Sequence, residues 1–238
     1  MSEPGVASAE PTAVRRRRRL PWFTEVLVAV VAIALVQAFL VKPFGVPSQS
    51  MENTLRIGDR ILVDRLDHSV QRGDVVVFGH GTTWQDRRLP PASNPLVAAA
   101  RAVGDVVGVG PGNTSYTVKR VIGMPGDRVA CCSVDGRVTV DDQALDEPYV
   151  HEDLPFVRGS LDCTTTPRST RCFPLVTVPE ENLLVLGDHR SESADSVLGC
   201  RGSTSGGGEC ARFVPVERVV GPVVLRFWPL GSAGSLPR

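Results

Sequence analysis

Two serines stand close together in Gly45-Val46-Pro47-Ser48-Gln49-Ser50-Met51, and a serine hydroxyl becomes a nucleophile only when a neighbouring base accepts its proton. The base has to be sought by residue type. Of the 26 basic residues only Lys42 and Lys119 are lysines; the rest are arginines. Arginine keeps its proton in a protein, whereas burial can strip one from lysine. Lys119 lies in Tyr116-Thr117-Val118-Lys119-Arg120-Val121-Ile122, with no acidic residue from Tyr116 to Pro125 to hold its charge locally. A serine paired with a neutral lysine is therefore the chemistry these residues offer. Taken singly, two serines after a proline also make a turn, and a lone strand lysine is also a solvated edge charge. His189 after Asp188 raises a Ser-His-Asp alternative, but adjacent residues on a turn rarely point at one another.

Such residues need elements to carry them. The run from Trp22 to Val41 (WFTEVLVAVVAIALVQAFLV) is 20 residues, as a helix about 30 Å, and predicts a transmembrane helix over 22–41. Arg15 to Arg19 precede it, so the positive-inside rule predicts a cytoplasmic amino terminus and residues 43–238 outside. Residues 1–21 carry these five arginines against Glu3 and Glu10, a net charge of +3 (5 − 2), and read as a basic cytoplasmic tail, disordered over 1–14. A cleaved signal peptide is the alternative, yet Val41-Lys42-Pro43-Phe44 is no small-x-small cleavage site. With a membrane run beside them and no interleaved aromatics, the arginines are not a nucleic-acid patch.

Beyond the apolar run the pattern becomes short β-type stretches: Ile61 to Val63, Asp74 to Phe78, Tyr116 to Ile122, Arg137 to Val140, Leu183 to Leu186 and Val219 to Phe227. Gly58-Asp59, Gly73-Asp74, Gly126-Asp127 and Gly187-Asp188 punctuate them as turns. Val134-Asp135-Gly136-Arg137 predicts a hairpin of the type I′ kind. The fold class that follows is mostly β and antiparallel. Residues 90–112 and 149–177 read as loops or an appended subdomain, with a short helix over Ala98 to Val103. An apolar fraction of 42% supports a real core and excludes disorder and collagen-like structure.

Six cysteines, Cys131, Cys132, Cys163, Cys172, Cys200 and Cys210, all fall on the predicted external side, where disulfides persist. Cys163 with Cys172, and Cys200 with Cys210, are each spaced to staple a loop, although six cysteines allow about 15 pairings. No C-x-x-C occurs and no histidine stands at ligand spacing from a cysteine pair, so no metal or other cofactor is expected.

Five segments in order resemble bacterial type I signal peptidase. They are Pro47-Ser48-Gln49-Ser50-Met51 with Gly58-Asp59; Gly73-Asp74-Val75-Val76-Val77-Phe78; Lys119-Arg120-Val121-Ile122-Gly123-Met124-Pro125-Gly126-Asp127; Gly187-Asp188-His189-Arg190 with Ser193-Ala194-Asp195-Ser196; and Val214-Pro215 to Val220-Gly221. The resemblance implies a membrane-bound serine endopeptidase that removes signal peptides from secretory preproteins with a Ser-Lys dyad. Ser50 would be the nucleophile and Lys119 the general base. The Ser50 N–H and the Ser48 hydroxyl would meet the oxyanion, Ser193 would orient the Lys119 amine, and Asp195 would support it from behind.

The resemblance also implies two antiparallel sheets and a small β cap. The core would hold 42–128 and 183–238, and the cap 129–182. The partners would be preproteins with small residues before the cleaved bond and the lipid bilayer, with no nucleic acid, and the enzyme would act as a monomer in the bacterial cell membrane. An anchor ending at Val41 keeps Ser50, nine residues on, within about 30 Å of the bilayer. Four positions depart from the family. His189 replaces asparagine, Ser191-Glu192 replace Asp-Asn, and Val197 replaces an arginine that commonly pairs with the aspartate at 195. Other classes remain in view. A disulfide-stabilised external binding module without catalysis gives Lys119 no task. A self-cleaving Ser-Lys regulator would normally bring a cytosolic nucleic-acid-binding domain.

Overall fold

A computed structural model of the chain describes residues 21–67, 69–80, 84, 92–107, 115–204 and 208–237. The basic tail, apart from Pro21, and the centre of the Cys200–Cys210 segment lie outside the described residues. The chain forms two compact units, residues 1–33 and 34–238.

Helix α1 runs Trp22–Phe39, 18 residues with no proline or glycine inside it. Thr24 caps its start by donating from N and from Oγ1 to the Pro21 carbonyl at 2.9 and 2.7 Å. At ~1.5 Å per residue it is about 27 Å long. It stops two residues short of the expected run because Leu40 turns and Val41 opens β1 (Val41–Gly45), where Pro43 forbids helix. Among the described residues no helix is long and apolar enough to cross a membrane.

The remaining elements are β2 (Arg60–Asp64), β3 (Val75–Gly79), α2 (Pro95–Val107), β4 (Tyr116–Gly123), β5 (Arg128–Cys131), β6 (Val138–Val140), β7 (Gln143–Ala144), β8 (Phe173–Thr177), β9 (Asn182–Leu186), β10 (Val214–Pro215) and β11 (Val219–Trp228). They build a seven-stranded sheet, β1-β2-β11-β3-β4-β9-β10, and a four-stranded one, β7-β6-β5-β8. Every pairing is antiparallel, as the mostly β reading requires. The smaller sheet is made wholly from residues 128–177; its first residue, Arg128, falls in the expected core and the rest in the expected cap.

All six β-type stretches became strands. Five strands were missed: β1, β8 and β10 each contain a proline (Pro43, Pro174, Pro215) and each is a sheet edge, where a missing N–H costs no ladder bond, and β5 and β7 are only four and two residues long. The hairpin between β5 and β6 forms, but not as type I′. Only Gly136 has positive φ (+78°), and its N–H reaches the Ser133 carbonyl at 3.0 Å, so a common turn precedes a left-handed glycine. The helix expected over Ala98 to Val103 extends to the full α2.

Three apolar clusters fix the frame. Ile122, Leu184 and Leu186 pack against Val129, Val140, Phe173 and Val176, joining the two sheets. Met51 and Leu55, 1% and 0% exposed, sink into a second cluster with Phe44, Ile61, Val63 and Val77. Burial of these two side chains stabilises by roughly 1.5–3 kcal/mol each and anchors the turn that carries Ser50. The cysteines pair as Cys131–Cys132, Cys163–Cys172 and Cys200–Cys210, so both expected loop staples form.

Candidate active site

Ser50 follows the end of β1 and stands on the turn pinned by Met51 and Leu55, with Leu55 N donating to the Met51 carbonyl at 2.7 Å. Lys119 comes from β4, opposite Val76 of β3, where the strand passes from half-buried to buried on both faces. The two meet: Lys119 Nζ and Ser50 Oγ are hydrogen-bonded, 69 residues apart in sequence and both buried. Ser48 Oγ lies 3.3 Å from Ser50 Oγ.

Burial drives the Lys119 amine down to about 8 from its usual 10.5, and Arg212 adds to the fall. Asp195 and Asp188 pull the other way and lose. The sequence placed no acid near Lys119; the fold brings two from other segments. At neutral pH a useful fraction of the amine is free to accept a proton.

Asp195 is fully buried, and its place in the family was left in question by Val197. The structure supplies another cation. Arg201 Nη2 donates to Asp195 Oδ2 at 3.0 Å, and Arg212 Nη2 donates to the Asp195 carbonyl at 3.0 Å. Arg201 directly follows Cys200 of the Cys200–Cys210 staple. Spacing alone gave no pointer to it, because its partner is reached only through the folded loop.

Ser193 is buried beside Gly187 and Ser50, yet its Oγ makes no hydrogen bond among the described residues. The bond expected from Ser193 to the Lys119 amine is therefore not formed in this structure, in which Nζ is engaged by Ser50.

The histidine triad fails on geometry. The Asp188 carboxylate is taken by Arg120, which donates from Nε at 2.9 Å and Nη2 at 2.7 Å, and by Thr54 Oγ1 at 2.5 Å. His189 faces Glu152 and Glu52 instead, and only its backbone N–H reaches Ser50, donating to the Ser50 carbonyl at 3.2 Å.

Arg120 is the residue that sequence reasoning quoted without a role. It is 0% exposed and ties Asp188, Thr54, and the carbonyls of Gly73 and Pro237 together, with its guanidinium 3.7 Å from the Tyr149 ring centroid. Through Thr54 it holds the serine turn, and through its own strand it holds the lysine. The sulfurs of Cys132, Cys163 and Cys172 cluster, but all six cysteines are in disulfides and offer no thiolate to a metal.

A family model described as "Signal peptidase, peptidase S26" matches residues 19–228. The "Probable signal peptidase I" of Mycobacterium leprae (strain TN) is 34% identical over a 257-residue alignment, covering 99% of this chain and 87% of that protein. The "Signal peptidase I" of Mycobacterium tuberculosis (strain CDC 1551 / Oshkosh) is 33% identical, covering 92% and 76%. A solved signal peptidase I from Enterococcus faecalis V583 aligns over 65% of this chain and 96% of that one, at 21% identity and a TM-score of 0.34. The chain belongs to the signal peptidase family, peptidase S26, and has the serine endopeptidase activity of that family, located at a membrane.

Proposed function

We propose that Ser50 and Lys119 are the catalytic dyad with which this chain cleaves signal peptides from secretory preproteins. The contact between the Lys119 amine and the Ser50 hydroxyl in a dry setting carries this reading. The neutral amine takes the Ser50 proton as Oγ attacks the scissile carbonyl, then returns it to the leaving amine; the same amine activates the water that hydrolyses the ester. The Ser50 N–H and the Ser48 hydroxyl meet the oxyanion, and a donor of this kind is worth about 10²–10³ in rate. Ser193 Oγ, buried and unengaged, receives the amine once the Ser50 bond is broken, and Asp195, braced by Arg201 and Arg212, backs the lysine. All these groups come from one chain, so a monomer suffices.

The apolar segment 22–41, two residues longer than the described helix α1, is the proposed anchor, single-pass, with the amino terminus cytoplasmic and the catalytic unit outside. Leu27, Val28, Val30, Val31, Ile33 and Leu35 of α1 are about half exposed or more, between 49% and 67%, and the helix has no polar face. A helix apolar all round needs lipid or protein to cover it. Arg15 to Arg19 favour the cytoplasmic side. Anchored substrate and anchored enzyme then meet at raised effective concentration. Small residues before the cleaved bond are the substrate preference carried over from the family.

The test is cleavage of a preprotein in detergent or lipid. Ser50→Ala and Lys119→Ala abolish it, and Lys119→Arg abolishes it as fully because guanidinium keeps its proton. Wild-type kcat/KM rises about tenfold per pH unit below a pH near 8 and levels above it. An active Lys119→Arg variant, or a flat profile through that range, rejects the dyad.

A further inference from the structure

We propose that His151, Glu152 and His189 form a binding site for a divalent cation of the zinc class, beside the catalytic serine. The sequence argued against a metal from the cysteines alone; the fold assembles a different donor set. One ligand atom from each of the three residues lies within 4.8 Å of the other two. The two histidines are 38 residues apart in sequence, and backbone pairing puts them side by side. His151 N donates to the Asp188 carbonyl at 2.8 Å, Arg190 N to the His151 carbonyl at 3.2 Å, and Ser191 N to the Glu152 carbonyl at 3.2 Å. The imidazoles meet edge to face with centroids 5.0 Å apart.

Two carboxylates flank the His189 ring. Its side chain is 6% exposed, Nε2 lies 3.3 Å from Glu152 Oε2, and Nδ1 lies 3.8 Å from Glu52 Oε2. Nδ1 is buried and has no hydrogen-bond partner among the described residues. If a neutral ring carries its proton on Nε2, Nδ1 presents a lone pair toward a carboxylate. If it carries the proton on Nδ1, facing Glu52, the Nε2 lone pair confronts the Glu152 carboxylate. A metal ion between Nε2 and Glu152 meets the second arrangement, and a doubly protonated ring paired with Glu152 is the outcome the experiment must separate from it. The histidine then ligates through one nitrogen and directs its other N–H at a carboxylate, the usual outer partner of a metal-bound imidazole.

Two imidazoles and a carboxylate suit zinc and its borderline neighbours rather than calcium or magnesium, and they leave a fourth position open. Zinc–ligand distances of about 2.0–2.2 Å require the donors to draw together. Glu152 and His151, with side chains 67% and 38% exposed, are free enough to do so. The buried His189 stays fixed.

The experiment is equilibrium dialysis of the full chain in detergent, stripped with chelator and titrated with Zn²⁺ or Co²⁺. One ion binds per chain, His151→Ala and Glu152→Gln each weaken binding at least tenfold, and Glu52→Gln, which touches no metal, weakens it about 10- to 100-fold. Bound Co²⁺ shows visible bands without thiolate charge transfer. Without metal, His151→Ala unfolds in urea with the wild-type transition, which shows that the variant is folded. Three results overturn the proposal: no stoichiometric binding, in which case His189 and Glu152 are a simple ion pair; binding indifferent to His151→Ala; or a thiolate band, which moves the ion to the cysteines. The readout is binding, so it stands or falls independently of the proposed dyad.

Discussion

Five Gly-Asp pairs occur in this chain; Gly104-Asp105 lies within α2, and of the other four, three behave alike while the fourth does not. At Gly58-Asp59, Gly73-Asp74 and Gly126-Asp127 the glycine sits at φ of +90°, +93° and +85°, and the aspartate accepts the N–H of the residue three before it: Arg56 at 2.9 Å, Gln71 at 2.9 Å and Met124 at 2.5 Å. Each aspartate closes its own turn, although Asp127 also accepts from Arg72 Nη2 at 2.8 Å and Asp59 from Arg226 Nη1 at 3.4 Å, at partly exposed sites. Gly187 lies outside the left-handed region, and Asp188 turns its carboxylate on Arg120 and Thr54. Glycine is needed at 187 for approach rather than for φ, because a Cβ there would overlap Ser193 Oγ and the Ser50 carbonyl. One dipeptide thus serves local punctuation three times and long-range assembly once. The surroundings decide which.

That contrast can be broken experimentally. The largest effect is expected at Asp188→Ala, which strands the buried Arg120 charge and should cost about 3–5 kcal/mol in denaturant unfolding; a loss no greater than that of Asp127→Ala would make the fourth pair an ordinary turn. Gly187→Ala should lower kcat at least 100-fold by displacing Ser50 and Ser193, an effect on the order of losing an oxyanion donor; wild-type turnover in a preprotein assay would remove the close-approach argument. Gly126→Ala should cost about 1–2 kcal/mol for a left-handed alanine, with cleavage unchanged. Asp127→Ala should cost only about 1 kcal/mol, one hydrogen bond to a partly buried N–H and a half-exposed ion pair with Arg72 that adds little, and thermal unfolding of the two variants side by side sharpens the ordering.

Much of the site was legible because its rarest ingredient was conspicuous. In a chain that otherwise writes arginine, Lys119 needed an explanation, and burial on a β-branched strand supplied one. The strands with clean β-branched patterns were equally readable, whereas β1 and β8 hid behind prolines that edge strands tolerate. What stayed invisible depends on contacts between distant segments. Arg201 reaches Asp195 only after Cys200–Cys210 closes its loop, and the Arg120–Asp188 clamp joins residues 68 apart. The missing Ser193 bond is of the same kind: sequence can place a hydroxyl near an amine but cannot say which of two serines the amine engages.

The depressed Lys119 amine makes the resting enzyme a tensioned object. Unfolded, this lysine titrates near 10.5; folded, near 8, so below pH 8 the native state bears the full penalty of an ammonium it disfavours. The penalty, about 3 kcal/mol at most, is relieved as pH climbs from 8 toward 10.5, and stability climbs with it. Lys119→Met should accordingly yield a dead protein that outlasts the living one in urea at pH 7, with the advantage fading in alkali. With the dyad as proposed, catalytic competence is a debt written into the fold, and the inactive molecule is the sturdier one.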